Sequence, residues 1–297
     1  MVTIAAISLG SIASTCSPPT QNASNHLRIS GSNTVMPFAV ALASGFHMAH
    51  SDVSFRVSGD GTARGIKWAG EGQVSGLDGP NIVAAASVPD GMAGPTLNGE
   101  TVDIGMSSRA LLDEERESYT TLVATPIATD SIAVATPPGL GVTHLTRVNL
   151  RDIYAGRVTD WSAVGGPALA IVVIVRPAIS GTAGAWQSLV MGTDTVTPTA
   201  MAASQNADVA GAIAANVGSI GYLSLASIDT TMVTPVSVDG IAATEATARD
   251  GTYPLIRPFL FVTNGLPSPL EQRFLDYTLS SAGAAIIRTN GAVPLGN

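Results

Sequence analysis

Four segments of this 297-residue chain share one pattern, in which an apolar strand-like run is followed by small and hydroxyl residues and then by a helix-forming run. They are "ISGSNTVMPF" (29–38), "VSGDGTARGIKWAGEG" (57–72), "VDIGMSSRALLDEE" (102–115) and "VIVRPAISGTAGAW" (173–186). Strands that alternate with helices predict an α/β protein with mixed, largely parallel sheets. Ligands of open α/β sheets bind beyond the carboxyl ends of the strands, at such strand-to-helix loops. The four segments therefore predict one shared site.

The fourth segment carries residue types that bind an oxyanion. Arg176 ends its strand, and Ser180, Gly181 and Thr182 follow just before the helix-forming run. A helix N-terminus leaves backbone N–H groups unpaired and has a partial positive charge. A guanidinium can donate two parallel hydrogen bonds to an oxyanion, and glycine lets a ligand approach the backbone. One such serine before a helix is mostly an N-cap, but four similar loops predict a common oxyanion site.

The charge balance limits the class of partner. The formal net charge is −8, and Lys67 is the only lysine. Binding to a phosphate backbone needs a basic face, so we expect no nucleic-acid partner. Helix N-termini and arginines can still make the local field positive enough to hold an anion.

Enzyme and cofactor motifs are missing from the sequence. The glycines of "GDGTARG" are spaced differently from a dinucleotide fingerprint, and neither a P-loop nor a Gly-x-Ser-x-Gly elbow occurs. His47 and His50 have no carboxylate or cysteine partner nearby in sequence, so we expect surface histidines and no metal site. We predict a binding protein that needs no cofactor; a phosphatase-like enzyme on the same scaffold is the alternative from another class.

The N-terminal stretch is typical of an exported protein. "MVTIAAISLGSIAST" is apolar and ends in small residues before Cys16, and "SPPTQNASN" follows as a polar spacer. This pattern resembles a secretory signal and the start of a bacterial lipoprotein, although no lysine or arginine precedes the apolar run and Ala13 stands where leucine is usual. We expect residues 1–24 to be leader and tether, with Cys16 either lipidated or a free thiol. The single cysteine excludes an intramolecular disulfide, and no later apolar run is long enough for a membrane span.

The rest of the chain continues the alternation of strands and helices. Apolar runs predict strands at 27–30, 53–57, 102–105, 131–137, 171–175, 220–224 and 258–262, and helical spacing predicts helices from Val35, over 112–118, over 207–217 and over 267–291.

Residues 74–100 do not fit this alternation. They are rich in glycine, proline and asparagine, which predicts a long loop, with one hairpin around "NIVAAASV". Loops of this length are either functional or insertions at the edge of a fold.

Taken in order, the motifs resemble those of the periplasmic phosphate-binding proteins of bacterial phosphate ABC transporters. The resemblance runs from about Leu27 to the C-terminus. It rests on "GSNTVMP", "GDGTARGIK", "DIGMSSRAL", "NLRDIYAGRVTDWSAVGG" (149–166), "RPAISGT", "SIGYLS" and "YPLIRPFLFVT" (253–263). The long motif 149–166 is the most telling, because it is not a ligand motif. Its periodicity alone predicts only helix, turn and loop.

The resemblance implies a two-lobe periplasmic binding protein fold of type II, with two hinge crossings. The first lobe would take 25–128 and 256–297, and the second 129–255. The crossings would be "TDSIAVATP" and "PLIRPFLFV". The family's activity implies extracytoplasmic binding of inorganic phosphate by lobe closure and delivery to an ABC permease. It also implies a monomeric periplasmic or cell-surface protein, attached to the membrane only through a lipid anchor if Cys16 carries one.

The resemblance also implies the ligand residues, motif by motif. They are Thr34 and the backbone of Val35, Thr62, Ser108, Arg176, Ser180, Gly181 and Thr182. Four further candidates stand beside them in the same motifs, namely Ser32, Asn33, Asp60 and Arg109.

Ser108 is a departure from the best-known members of the family, which have aspartate at this position. That carboxylate accepts the proton of bound phosphate and repels sulfate. Asp60 would replace it as the acceptor or would stabilise its own turn. Arg109 would face the ligand or pair with the acidic run 113–115. The open functional alternatives are therefore another oxyanion, such as sulfate, molybdate or arsenate, and a phosphate sensor without a transport role.

Overall fold

We describe residues 25–76 and 98–295 of a computed structural model of the chain. The leader prediction for 1–24 and the lipidation prediction for Cys16 lie outside these residues. The strands are β1 His26–Gly31, β2 Ser54–Gly59, β3 Ile104–Ser107, β4 Leu122–Thr136, β5 His144–Leu145, β6 Val172–Val175, β7 Met201–Ala202, β8 Ser219–Ser224, β9 Thr234–Val238, β10 Ile256–Asn264 and β11 Val293–Pro294. The α-helices are α1 Met36–Ala49, α2 Thr62–Glu71, α3 Asp113–Ser118, α4 Arg147–Tyr154, α5 Gly181–Trp186, α6 Asn206–Ala215, α7 Glu245–Arg249, α8 Pro269–Leu279 and α9 Ser281–Thr289.

The first three strands form a parallel group in the order β2-β1-β3. Gly31 at the end of β1 is in register with Gly59 of β2 and with Met106 of β3. Because parallel strands end at one edge, the loops that follow them meet there. This register brings the first three of the predicted site loops together.

Two long strands join this group to the rest of the sheet. β4 and β10 pair antiparallel along their length, with Asp130 opposite Arg257 and a bulge at Phe259/Leu260. The last residues of β4 leave β10 and pair with β8 and β9. Beyond β8 the sheet continues with parallel pairs to β6 and β7. The mixed α/β sheet predicted from the sequence is confirmed, with parallel groups on either side of the antiparallel crossing strands.

The apolar residues form separate cores on the two sides of these strands. The first core draws on Leu27 to Ala128 and then on Phe259 to Ala292. The second core draws on Ile132 to Leu255. Along β4 and β10, residues of the first core give way to residues of the second core between 128 and 132 and between 255 and 259. This arrangement favours the proposed division into 25–128 plus 256–297 and 129–255. These lobe boundaries stay a prediction.

Buried aromatic rings support the loop that follows β6. Trp186 stacks on Tyr222 with ring centroids 4.3 Å apart, and Tyr154 lies 4.6 Å from Trp186. All three side chains are buried. Each buried aromatic ring contributes roughly 1.5–3 kcal/mol to stability. The packing of Trp186 on the two tyrosines therefore anchors α5 in the second core.

The prediction of one helix over 267–291 is wrong, because the segment forms α8 and α9 with a break at Ser280. Ser280 has an extended backbone, with ψ 170°. Its hydroxyl oxygen accepts a hydrogen bond from the Gly283 N–H at 3.3 Å. A serine side chain that caps a new helix competes with continuation of the preceding one.

The predicted loop 74–100 is described only at its ends, since 77–97, and with them the predicted hairpin, lie outside the described residues. Gln73 and Thr101 form an antiparallel bridge, and Val74 N–H donates to Glu100 O at 2.8 Å. The two ends of the segment therefore lie side by side. In the described part of the chain, none of the helices has the length and hydropathy needed to cross a bilayer.

Candidate functional site

The loop between β1 and α1 is built around Ser32. Its hydroxyl oxygen accepts hydrogen bonds from Thr34 N–H and Val35 N–H, both at 3.3 Å, and its own N–H donates to Met106 O at 3.0 Å. Val35 N–H also donates to Ser32 O at 3.1 Å. Ser32 therefore shapes the loop, and the Val35 N–H predicted to meet the ligand is engaged inside it. The Thr34 side chain remains directed at the neighbouring loops.

Asp60 ties the ends of β1 and β2 together. One of its carboxylate oxygens accepts from Ser30 Oγ at 2.7 Å and from Ser58 Oγ at 2.6 Å. The next residue, Gly61, has a φ of 89°, which favours glycine and turns the chain into α2. Of the two roles foreseen for Asp60, these contacts match stabilisation of the turn.

The loop after β3 holds Ser108 beside Thr62. Ser108 N–H donates to Thr62 Oγ1 at 3.2 Å, and the two hydroxyl oxygens are 3.5 Å apart. Both residues have no exposed surface. Residue 108 thus brings a buried hydroxyl, and not a carboxylate, to this loop.

Arg109 turns away from these hydroxyls. Its guanidinium makes two hydrogen bonds to the Glu115 carboxylate, at 2.7 Å and 2.6 Å. The same carboxylate accepts from Leu112 N–H at 2.8 Å and so caps α3. Of the two alternatives for Arg109, the structure therefore has the pairing with the acidic run 113–115.

The loop before α5 brings the fourth segment onto the other three. Ser180 caps α5 through a hydrogen bond from Thr182 N–H at 3.2 Å. Gly181 lies so close to Thr62 and Ser108 that a Cβ atom at residue 181 would collide with both hydroxyl oxygens. Thr182 Oγ1 lies 3.3 Å from Thr34 Oγ1. The four loops predicted to share a site therefore converge on one buried group of hydroxyls.

Arg176 reaches this group from β6. Its guanidinium donates to Asn206 Oδ1 at 2.9 Å and to Ser204 O at 2.8 Å. Asn206 Nδ2 in turn donates to Thr34 Oγ1 at 3.4 Å. The buried Arg176 Nε–H has no hydrogen-bond partner among the described residues, and an unpaired buried donor is costly unless a ligand takes it up.

The surroundings of Arg176 lower its pKa. Burial, together with the nearby charge of Arg257, lowers the Arg176 pKa to about 10. The guanidinium still carries its proton at neutral pH. An anion bound beside Arg176 would oppose both the burial and the Arg257 charge that lower its pKa.

Three residues of the site were not foreseen from the sequence. Arg257 donates from Nη1 to Thr182 Oγ1 at 2.7 Å and to Ser108 O at 3.3 Å. Its Nε and Nη2 donate to Asp130 Oδ2 at 3.0 Å and 2.8 Å. Asn206 is the third. A sequence signal existed for the pair, since one arginine and one aspartate interrupt otherwise apolar strands, and buried charges must be paired.

A cavity of about 230 Å³ opens beside the hydroxyls. Asn33, Asp60, Arg64, Arg176 and Ser180 are among the residues that line it. The charged side chains of this wall are two arginines and the Asp60 carboxylate, which is held by Ser30 and Ser58. Within 25–76 and 98–295, no three histidine, cysteine, aspartate or glutamate side chains come together in a way that would hold a metal ion.

The geometry suits a tetrahedral oxyanion. Arg257 donates to one of the buried hydroxyls, and Arg176 is linked to another through Asn206. Hydroxyls can donate or accept as an anion requires. The described site residues include no serine or threonine paired with a histidine that would act as nucleophile and base.

Comparison with known proteins gives a consistent picture. Residues 17–282 match the family model described as a PBP superfamily domain. The phosphate-binding protein PstS of Bacillus subtilis is 25% identical over 277 residues, which cover 93% of this chain and 82% of the relative.

Solved structures extend the match to the fold. A candidate substrate-binding protein of a phosphate ABC transporter from Clostridium perfringens, solved with bound phosphate, superposes with a TM-score of 0.77 at 31% identity over 91% of this chain and 99% of its own. An ABC-type phosphate transport receptor from Vibrio cholerae gives a TM-score of 0.72 at 27% identity, over 91% of this chain and 100% of its own.

Proposed function

Since this chain belongs to the PBP superfamily, we propose that it binds inorganic phosphate outside the cytoplasm and delivers it to the permease of an ABC transporter. Relatives from Bacillus subtilis and Clostridium perfringens are named as phosphate-binding or phosphate-transport proteins. The proposal transfers that ligand to this chain because the loops that carry the resemblance are the loops that converge here.

One observation carries the proposal. Thr34 and Thr182 are 148 residues apart in the chain, yet their hydroxyl oxygens lie 3.3 Å apart in a buried site. Arg176 is linked to Thr34 through Asn206, and its Nε–H has no hydrogen-bond partner among the described residues. Burying a polar group costs free energy unless it is paired, and a bound tetrahedral anion would pair the Arg176 N–H and could accept from the neighbouring hydroxyls.

The energetics favour tight binding. Each hydrogen bond to a charged group returns about 1.5–3 kcal/mol net. Micromolar affinity needs roughly −8 kcal/mol. A handful of hydroxyl and backbone donors together with one guanidinium therefore reaches this range.

We propose the ligand contacts in two groups. The first group consists of the side chains that converge on one point, which are Thr34, Thr62, Ser108, Arg176, Ser180 and Thr182, with the backbone of Gly181. The second group consists of Val35, whose N–H would have to exchange Ser32 for the ligand, and Asn33, which lines the adjoining cavity. Ser32, Asp60 and Arg109 act in this proposal by shaping the loops.

The selectivity of the site between phosphate and sulfate depends on residue 108. Ser108 brings a hydroxyl where the best-known relatives have a carboxylate, so nothing at this position repels a fully deprotonated anion. Sulfate is therefore the second candidate ligand. The site would still favour phosphate to the extent that a hydroxyl such as Ser108 accepts the proton that phosphate carries.

The proposed transport role rests on ligand contacts that come from both proposed lobes. Thr34, Thr62 and Ser108 belong to the proposed first lobe, and Arg176 and Thr182 to the second. An anion that contacts both lobes binds the closed state more tightly than the open one, so it shifts the population toward closure. In this proposal a permease recognises the closed monomer, and the leader 1–24 directs export, with Cys16 as the attachment point if it is lipidated.

The family speaks for binding and transport, not catalysis. The phosphatase-like alternative would need a nucleophile and a base within reach of the anion. Turnover of a phosphomonoester would reveal it, and our proposal expects none.

The experiment is calorimetric titration of the ligand-stripped protein with phosphate and then with sulfate. Micromolar or tighter binding of phosphate, with weaker binding of sulfate, is the expected result. Equal affinities would replace phosphate with a general oxyanion as the ligand. A folded protein that binds neither would overturn the proposal.

A further inference from the structure

Arg257 is the most deeply buried cation of the site, and its guanidinium points two ways. Its side chain is 1% exposed. Nε and Nη2 donate to Asp130 on the neighbouring strand, whereas Nη1 donates to Thr182 Oγ1 and Ser108 O. The guanidinium also lies over the ring of Phe259, 5.6 Å from its centroid. Its orientation is thus fixed on three sides.

A purely structural ion pair does not explain this arrangement. A buried pair costs desolvation, and apolar side chains of similar volume often stabilise a fold as well or better. Nη1 does not bond to Asp130. It donates to Thr182 in the first turn of α5 and to Ser108 in the loop after β3. Its contacts are with two residues of the proposed anion site.

The hydrogen-bond roles determine the direction of the Thr182 hydroxyl. A guanidinium only donates, so Thr182 Oγ1 must accept at 2.7 Å from Arg257. The hydroxyl proton of Thr182 is then free to point away, toward Thr34 or a bound anion. Without Arg257, the same hydroxyl oxygen has a lone pair available to face an anion, which would be repulsive.

Asp130 is the carboxylate that faces Arg257, and its second oxygen accepts from Ser224 Oγ at 2.9 Å. Burial lowers the pKa of Arg257, and Asp130 opposes that fall. Arg176 is a second cation near Arg257, and the Asp208 carboxylate acts on Arg176. Nη1 of Arg257 donates to two neutral oxygens, Thr182 Oγ1 and Ser108 O.

We propose that Arg257 is a positioning residue of the anion site, which holds the Thr182 hydroxyl as a donor and supplies a fixed positive charge from the crossing strands. This inference rests on the proposed function. Asp130 and Arg257 are register partners on β4 and β10, so the pair lies where the two proposed lobes join. Nη1 links a loop of each lobe, which makes Arg257 a contact that forms fully only when the lobes are closed.

The test compares variants by phosphate titration and by thermal unfolding. Arg257→Gln weakens phosphate binding by roughly ten- to a hundredfold, the range expected for loss of a charge-assisted contact, and also lowers stability. Asp130→Asn keeps an oxygen for Arg257 but removes the opposing charge. It therefore lowers stability and leaves phosphate affinity equal or higher.

The double variant Arg257→Gln with Asp130→Asn separates positioning from folding. It removes both buried charges, so its melting temperature recovers toward that of the wild type while its phosphate affinity stays low. Arg56→Gln, which removes the half-buried ion pair with Glu100, is the control and leaves affinity unchanged. A cycle with Thr182→Val gives losses that are not additive, because Arg257 acts through that hydroxyl.

The outcomes separate the two levels of the proposal. Phosphate affinity of the double variant within twofold of the wild type overturns the positioning role, and so does a loss on Asp130→Asn as large as that on Arg257→Gln. A folded wild type that binds neither phosphate nor sulfate overturns the proposed function, and this inference with it.

Discussion

Gly181 packs directly against Thr62, so closely that any side chain at residue 181 would overlap the Thr62 hydroxyl oxygen. The contact joins the start of α5 to the start of α2, and it sets how near the proposed lobes come to each other. We therefore expect residue 181 to control closure.

Gly181→Ala should weaken phosphate binding without unfolding the protein. The added methyl group forces α5 away from Thr62 and Ser108, and overpacking of this kind costs about 1–3 kcal/mol. Titration calorimetry measures the loss. Gly211→Ala is the matched control, since nothing lies near its Cβ position in α6, and it should leave affinity unchanged. Wild-type affinity in Gly181→Ala would mean that the two loops do not close on the ligand.

Arg176→Ala should cost more binding free energy than Thr182→Ala. The arginine supplies charge as well as donors, and truncating a buried charged partner costs about 2–5 kcal/mol. A single hydroxyl that donates to an anion contributes about 1.5–3 kcal/mol. Phosphate titrations of both variants give the comparison. Equal losses would remove Arg176 from its role as the main anion contact.

Asp60→Asn should affect stability more than selectivity. The carboxylate accepts from two buried serine hydroxyls, and its neutral replacement weakens these bonds by about 1–2 kcal/mol in all. Urea unfolding measures that loss, and the ratio of sulfate to phosphate affinity should stay as in the wild type. A changed ratio would show that Asp60 accepts the proton of bound phosphate.

Ser108→Asp should sharpen the preference for phosphate. A carboxylate here would accept the phosphate proton and repel sulfate, which carries none. The ratio of the sulfate Kd to the phosphate Kd should rise at least tenfold, which corresponds to about 1.4 kcal/mol. An unchanged ratio would place residue 108 out of contact with the ligand.

The ion pair of Arg157 and Asp194 should make stability depend on acid pH. The hydrogen bond from Arg157, at 2.8 Å, lowers the pKa of Asp194 from its usual 3.8. A folded-state pKa below the unfolded one gives stability that is present above about pH 4 and is lost as the pH falls through the folded-state value. Thermal melts of the wild type and of Asp194→Asn should differ at pH 6, and the difference should shrink steadily as the pH falls below about 4. A difference that does not change with pH would mean that the carboxylate charge is not its source.

The sequence predicted the loops of the site better than its charges. Strand-to-helix loops are local features, so glycine and hydroxyl spacing marked Thr34, Thr62 and Thr182. The parallel register of β1, β2 and β3 brings Thr34 and Thr62 to one edge of the sheet. Arg257 and Asp130 come from the crossing strands, where local pattern reads only as buried strand. Their pairing depends on the antiparallel register of β4 and β10, which no short motif encodes.

Two other differences have local causes. The C-terminal helix divides because the Ser280 hydroxyl caps α9, a competition that apolar periodicity does not register. Arg109 had two possible partners in sequence, and its choice of Glu115 follows from the turn that places α3 beside it. Periodicity fixes the element, whereas side-chain partners are chosen by the tertiary fold.

The most direct measurement is an anomalous difference map from crystals grown with arsenate, the heavier analogue of phosphate. The account predicts one strong arsenic peak placed so that arsenate oxygens accept hydrogen bonds from the Thr34 and Thr182 hydroxyls and from Arg176. An arsenic peak elsewhere on the protein, with this hydroxyl cluster unoccupied, would contradict it.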